Sequence, residues 1–299
     1  MRLIAYGDLY TNYYFKNNLL EYISGGKSNS NILYNVADTF STKFIGVVGN
    51  DKQGDVALLS LNSKNVDIGD IKRIDESTQT IFYLDKHSTR VCPYCDRIRG
   101  YNEDYITYED VISKLKGDDI LIIDSLEELD LDVINNCSNK IVLYLNDINY
   151  IKRFSLTDLT NLLLDRCILL CLGNKVSAFI KDKYKIDIMD LKNNINANVL
   201  ISFKTVKDFD IVYQDVLEER EIEGRIYKEN MRGSLDIYIS EFLRVILDKD
   251  IDDKVISLAH LKAAAMYIYS TSIIGERLDS IYKIKDYKEC ICKDIDLKV

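Results

Sequence analysis

Phe44-Ile45-Gly46-Val47-Val48-Gly49-Asn50-Asp51-Lys52-Gln53-Gly54 is the stretch on which the reading of this chain turns. Its first five residues are apolar or glycine without alternation, as a strand buried on both faces must be. Gly54 then marks a turn, and Val56, Leu58, Leu59 and Leu61 follow at helical spacing. The same unit recurs on either side. Ile4 sits in an N-terminal strand, and Ile32, Leu33, Val36, Ala37 and Phe40 share one helical face just before Phe44. Downstream, Ile120-Leu121-Ile122-Ile123, Ile141-Val142-Leu143-Tyr144 and the run from Cys167 to Leu172 are apolar segments, each followed by a helical pattern. This alternation predicts an α/β chain with a mainly parallel central sheet flanked by helices.

Two regions interrupt the rhythm. Residues near 8–24 and 78–103 are rich in Tyr, Thr and charge and read as exposed antiparallel strands, a small β lid over one end of the sheet. The last third reads as helical, with Phe242, Leu243, Ile246 and Leu247 in one stripe and Leu258, Leu261, Ala264, Ala265 and Ile268 in another. No repeat, linker or boundary divides residues 1–299, so one domain is expected.

With 47% hydrophobic residues the chain can bury a large core. Its formal net charge of -9 excludes a non-specific nucleic-acid binder, which needs a surplus of Lys and Arg. Local anion binding by backbone amides remains compatible with that balance. No run reaches the roughly 20 apolar residues of a membrane span. Residues 1–6 read as a buried strand and not as a signal sequence. Seven cysteines, mostly in apolar segments, read as reduced thiols. The expectation is a cytoplasmic protein with no nucleic-acid or membrane partner.

A second glycine segment, Gly25-Gly26-Lys27-Ser28-Asn29-Ser30-Asn31, precedes the helix that leads into Phe44. Together with Gly46-Val47-Val48-Gly49-Asn50-Asp51-Lys52-Gln53-Gly54 and the later Asn230-Met231-Arg232-Gly233-Ser234-Leu235-Asp236, it resembles the PfkB, or ribokinase-like, family of sugar and nucleoside kinases. The resemblance continues through Leu58, Leu61, Val66-Asp67 and Thr78, reaches Gly100-Tyr101-Asn102, and spans nearly the whole chain. It implies a ribokinase-like fold and phosphorylation of a hydroxyl on a sugar or sugar-like metabolite, with ATP and Mg²⁺. Asp236 matches the family's base, and Gly233, Ser234 and Leu235 its anion hole. Substrate contacts are expected from Asp8, Asn12, Gly25, Gly26, Lys27, Ser30 and Asn31, and nucleotide contacts from Asn174, Ser202 and Lys204.

Several positions depart from that pattern. Leu235 stands where the family has glycine, and Asn12 where it has a sugar-binding aspartate. The substrate asparagine, counted from Gly25, falls on Ser30; a slip of one residue restores Asn31. Ser177 takes the place of a carboxylate that organises Mg²⁺. Side chains in the stretch from Ser202 to Lys207 occupy glycine positions of the nucleotide strand. These changes leave two readings: a divergent kinase, or a catalytically impaired pseudokinase that binds a metabolite or a partner chain.

Cys92-Pro93-Tyr94-Cys95 has the spacing of half a zinc site, which needs two further ligands; the other reading is a pair of lid thiols on a turn. Arg90, Arg97 and Arg99 either reach a phosphate on the substrate or form an ordinary charged surface. Tyr10, Tyr13, Tyr14 and Tyr22 suit stacking on a sugar ring or a homodimer contact through the lid. His260, among apolar neighbours, reads as packed.

Overall fold

The structure is a computed structural model that describes residues 1–16, 19–84, 88–91, 105–205, 207–223, 234–247 and 249–269. The apolar runs become β1 (Leu3–Asp8), β4 (Thr42–Gly49), β8 (Ile120–Ile123), β9 (Lys140–Leu145), β10 (Cys167–Leu172) and β11 (Val199–Phe203). With β5 (Asp67–Ile74), β12 (Asp208–Tyr213) and β13 (Val216–Glu221) they form a nine-stranded sheet ordered β13-β12-β11-β10-β9-β8-β1-β4-β5. Every pair from β11 to β5 is parallel, and the β11–β12 and β12–β13 pairs are antiparallel.

Period-two alternation explains why the strands are apolar throughout. On one face Leu3, Ala5, Phe44, Ile122, Val142, Leu169 and Ile201 join one core cluster. It is covered by α1 (Ser28–Val36), α2 (Lys52–Asn62), α8 (Ser234–Ile246) and α9 (Asp253–Tyr269). On the other, Ile4, Ile45, Leu121, Ile123, Leu143, Leu170 and Leu200 join a second cluster. That face is covered by α3 (Tyr108–Ile112), α4 (Glu128–Asn136), α5 (Leu156–Leu163), α6 (Asn174–Tyr184) and α7 (Ile188–Ile195). A strand residue of either parity therefore loses contact with water.

The glycines of the opening motif serve close packing. A Cβ on Gly49 would lie 2.3 Å from the Glu76 carbonyl oxygen, and one on Gly54 2.3 Å from that of Gly49. Asp51 is the N-cap of α2 and a clamp as well. Its Oδ1 accepts from the Gly54 N–H and the Thr78 hydroxyl, both at 2.7 Å, and its Oδ2 from the Thr78 N–H at 2.8 Å. The motif thus ties the β4–α2 turn to the chain entering β6 (Thr80–Leu84).

β6 belongs to a second, four-stranded sheet with β2 (Thr11–Lys16), β3 (Leu19–Gly25) and β7 (Ser88–Val91), in the order β3-β2-β6-β7. These strands fall in the two regions expected to form the lid. Two details differ from the expectation. β2 pairs with β6 in parallel, because the two strands come from distant parts of the chain, not from one hairpin. Thr11, Asn12 and Tyr13 are buried, not exposed, with the Thr11 hydroxyl donating to the Gln53 carbonyl at 2.6 Å.

The C-terminal segment also needs a correction. α9 forms, but its buried face carries Ile256, Ala259, His260, Ala263 and Tyr267, while Leu258 is exposed and Leu261 is 67% exposed. The helix is apolar around most of its circumference, so periodicity alone cannot choose the face. His260 packs as expected, with Nδ1 2.8 Å from the Tyr238 hydroxyl. No helix among the described residues is long and apolar enough to cross a membrane.

Candidate functional site

The strand order reverses at β1. From β1 the sheet grows through β4 to β5 on one side and through β8 to β11 on the other. In an open parallel sheet such a reversal leaves a crevice beyond the carboxyl ends of the strands, where ligands bind. Asp8 ends β1, Asp124 follows β8, and the N-terminus of α1 stands over both, with the Asn29 N–H donating to Asp124 Oδ2 at 3.1 Å.

The double glycine delivers the chain to this point. Gly26 has φ +122°, a conformation open to glycine, and its N–H donates to the Tyr10 carbonyl at 2.9 Å. A Cβ on Gly25 would sit 2.3 Å from the Ala57 Cα. Lys27 is the extended N-cap residue of α1, with Nζ 3.2 Å from Asp8 Oδ1 and 4.9 Å from the centre of the Tyr10 ring. Burial opposes its charge, yet Asp8, Tyr10, Asp124 and Glu127 together hold the ammonium well above the ordinary lysine value.

Ser30 and Asn31 divide their labour. The Ser30 hydroxyl accepts from the Lys27 N–H at 2.6 Å and donates to the Lys27 carbonyl at 2.9 Å, so it closes the first turn of α1. Ser30 is fully buried, and its hydroxyl hydrogen is spent on that turn. Asn31 is the residue that faces the expected base: its Nδ2 donates to Asp236 Oδ2 at 2.8 Å. Counting from Gly25 points to Ser30, and helical geometry selects the next residue.

Asp236 lies in the first turn of α8 and is 3% exposed. Burial is the main force raising its carboxyl to about 6. Hydrogen bonds from Asn31 and Ser28 pull the value down, and the nearby charge of Asp124 adds to the rise. Leu235, its neighbour, is half-buried and packs against the core cluster that α1 and α8 share. The α1–α8 pairing continues away from the site, where the Arg244 guanidinium donates to the Asn35 carbonyl and the Thr39 hydroxyl.

Beside the Gly25–Gly26 turn, two buried amide oxygens have no partner. Asn12 is 3% exposed; its Nδ2 donates to the Gly26 carbonyl at 2.9 Å, while its Oδ1 accepts nothing. Asn31 is 6% exposed, and its Oδ1 is likewise unpaired. That oxygen would stand 2.6 Å from a Cβ on Gly26. Both amides thus meet at Gly26 with an acceptor left over, which is costly unless a ligand donates to it.

The residues expected to hold nucleotide behave differently. The Ser202 hydroxyl donates to that of Ser177 at 2.8 Å, so the structure joins two positions that the sequence separates. Lys204 Nζ is bound by Asp210 at 2.6 Å and Glu219 at 3.0 Å, within the β11–β13 hairpins. Asn174 is exposed and uses its Oδ1 on the N–H of Lys175. Among the described residues no group of three or more His, Cys, Asp or Glu side chains is arranged to hold a metal ion.

Gly233, Arg97, Arg99, Asn102, Cys92 and Cys95 lie outside the described residues, as do the side chains of Ser234, Arg90, Tyr14 and Tyr22. Sequence reasoning missed Asp124. The signal was present: an acidic residue directly after a continuous apolar strand sits where parallel sheets bind ligands.

No protein-family model matches the chain, and no curated protein matches it in sequence. Solved structures do match. The chain is similar to an archaeal nucleoside kinase of the ribokinase family from Methanocaldococcus jannaschii (TM-score 0.63, 15% identity, covering 91% of this chain and 92% of that one). It is similar to the aminoimidazole riboside kinase of Salmonella enterica, in complex with aminoimidazole riboside and an ATP analogue (TM-score 0.68, 12% identity, 94% and 98% covered). An uncharacterised sugar kinase from Pyrococcus horikoshii superimposes with TM-score 0.68 at 15% identity, over 96% of this chain and 99% of that one. With its parallel sheet, its second small sheet and these neighbours, the chain has the ribokinase-like fold of sugar and nucleoside kinases.

Proposed function

We propose that the protein is a phosphotransferase that moves the γ-phosphoryl group of ATP to a hydroxyl of a sugar-like metabolite, with Asp236 as the base. The observation that carries this reading is Asp236 itself: buried, raised to about 6, and held by Asn31 at the N-terminus of a helix. A carboxyl with that value is largely ionised at neutral pH, yet basic enough to take a proton from a hydroxyl as it attacks. Backbone amides at the start of α8, from Ser234 and Leu235, with that of the preceding Gly233 expected from the motif, would stabilise the transferred phosphoryl group. Leu235 is compatible with that role: its side chain packs on the core, and the N–H groups of a helix's first turn have no intrahelical partner. Asn12 and Asn31, with unpaired oxygens, would accept from substrate hydroxyls beside the Gly25–Gly26 turn. Mg²⁺ would enter on the nucleotide phosphates, as it commonly does where few protein carboxylates are offered.

A specific observation favours a second reading, a metabolite-binding protein without turnover. The Ser177–Ser202 pair and the double pairing of Lys204 leave the nucleotide side with few free groups among the described residues. ADP formation by purified protein, measured with ATP, Mg²⁺ and a panel of sugars and polyols, separates the two. Turnover that Asp236→Asn abolishes is the expected result. Sugar binding by calorimetry with no ADP formed would remove the kinase reading and leave the second.

A further inference from the structure

We propose that the acceptor carries a positive charge, as an amine-bearing sugar or polyol, and that Asp124 is the residue that binds its ammonium group. The inference rests on the reading of this crevice as the acceptor site and adds the chemical class of the acceptor.

Charge is the first argument. Lys27 is a cation that the described residues place in this crevice, and Asp8 holds it at 3.2 Å. Asp124, Glu127 and ionised Asp236 then remain as acids around the same space. Asp124 is the common neighbour: its charge acts on Asp236, on Lys27, on Tyr10 and on Tyr150. One donor among the described residues, the Asn29 N–H, reaches its carboxylate, which is half-buried and can accept more. A phosphorylated acceptor would meet like charge at each of these acids, whereas an ammonium is attracted by all of them.

Hydrogen-bond polarity is the second, independent argument. Beside the Gly25–Gly26 turn, the unpaired buried atoms Asn12 Oδ1 and Asn31 Oδ1 are both acceptors, on side chains at least nine-tenths buried. Aspartate oxygens are acceptors too. A neutral hydroxyl brings one hydrogen and lone pairs of its own that also seek donors. An ammonium brings three hydrogens and no lone pair, and so matches these buried amide oxygens and the Asp124 carboxylate.

Calorimetric titration of the full chain at about pH 6.5, where an amine of pKa near 8 is protonated, tests this with matched pairs. The probes are D-glucosamine against D-glucose, D-galactosamine against D-galactose, and serinol against glycerol. At least one amine should bind about tenfold or more tightly than its neutral partner, the scale of one charge-assisted contact. Asp124→Asn keeps an oxygen for the Asn29 N–H and should bring that ratio close to one. Equal binding of both members of every pair, an unchanged ratio in Asp124→Asn, or no binding by any amine would each overturn the inference. ADP formation in parallel samples keeps the two readings apart. A neutral sugar bound and phosphorylated as well as its amine removes this inference and leaves the kinase; an amine bound selectively without ADP formation leaves this inference and removes the kinase.

Discussion

Replacing Asp236 by asparagine should make the protein progressively more stable, relative to the native chain, as pH rises from 4 to 8. The folded carboxyl is raised from 3.8 to about 6, mainly by burial, in a side chain 3% exposed. Between those values the folded protein holds a proton that the unfolded chain has released, so stability falls as pH rises through the window. The cost is absent below about pH 4 and complete above about pH 7. It amounts to about 3 kcal/mol, at ~1.4 kcal/mol for each pH unit between the two values. Asparagine mimics the neutral acid and can still accept from Asn31 Nδ2, so it carries no such dependence. Urea unfolding of both proteins at several pH values should show their stability gap widening by about 3 kcal/mol, equivalent to roughly 5 °C in Tm for a chain of this length. A gap that stays constant or narrows as pH rises would refute the argument that burial dominates at Asp236. For the proposed phosphoryl transfer, the same titration should appear as kcat/KM falling tenfold per pH unit below about 6 in the native protein.

Other perturbations probe the turns that build the site. Gly25→Ala would press a methyl group to 2.3 Å from the Ala57 backbone, and a loss on the order of 2–3 kcal/mol in urea unfolding is expected. Asp51→Ala removes the acceptor of three hydrogen bonds to Gly54 and Thr78, and should cost about 2 kcal/mol by the same assay. Leu235→Gly should lower Tm by a few degrees, through lost packing and helix propensity, while leaving ADP formation equal or faster. A fall in turnover with substrate binding intact would show that the Leu235 side chain itself serves the reaction.

Much of this architecture is legible in the residue order, because it depends on local rules. Continuous apolar runs require burial on both faces, and Gly49 and Gly54 leave room that a side chain would fill. Asp236 is placed by the motif alone, and the structure finds it buried in the first turn of α8. Local rules stop where faces and partners are chosen. α9 is apolar on too many sides for its sequence to say that Ile256 and Ala263 turn inward and Leu261 outward. The spacing from Gly25 selects Ser30, yet the first turn of α1 consumes that hydroxyl and brings forward Asn31.

The sequence by itself determined the parallel α/β framework, the glycine turns and the carboxylate at Asp236, since each follows from neighbours within a few residues. Only the tertiary structure decided what that carboxylate meets. Asn31 and Asp236 are 205 residues apart in the chain, and Asn29 and Asp124 are 95 apart. They come together because the sheet reverses its strand order at β1 and packs α1 against α8, and burial then raises Asp236 to about 6.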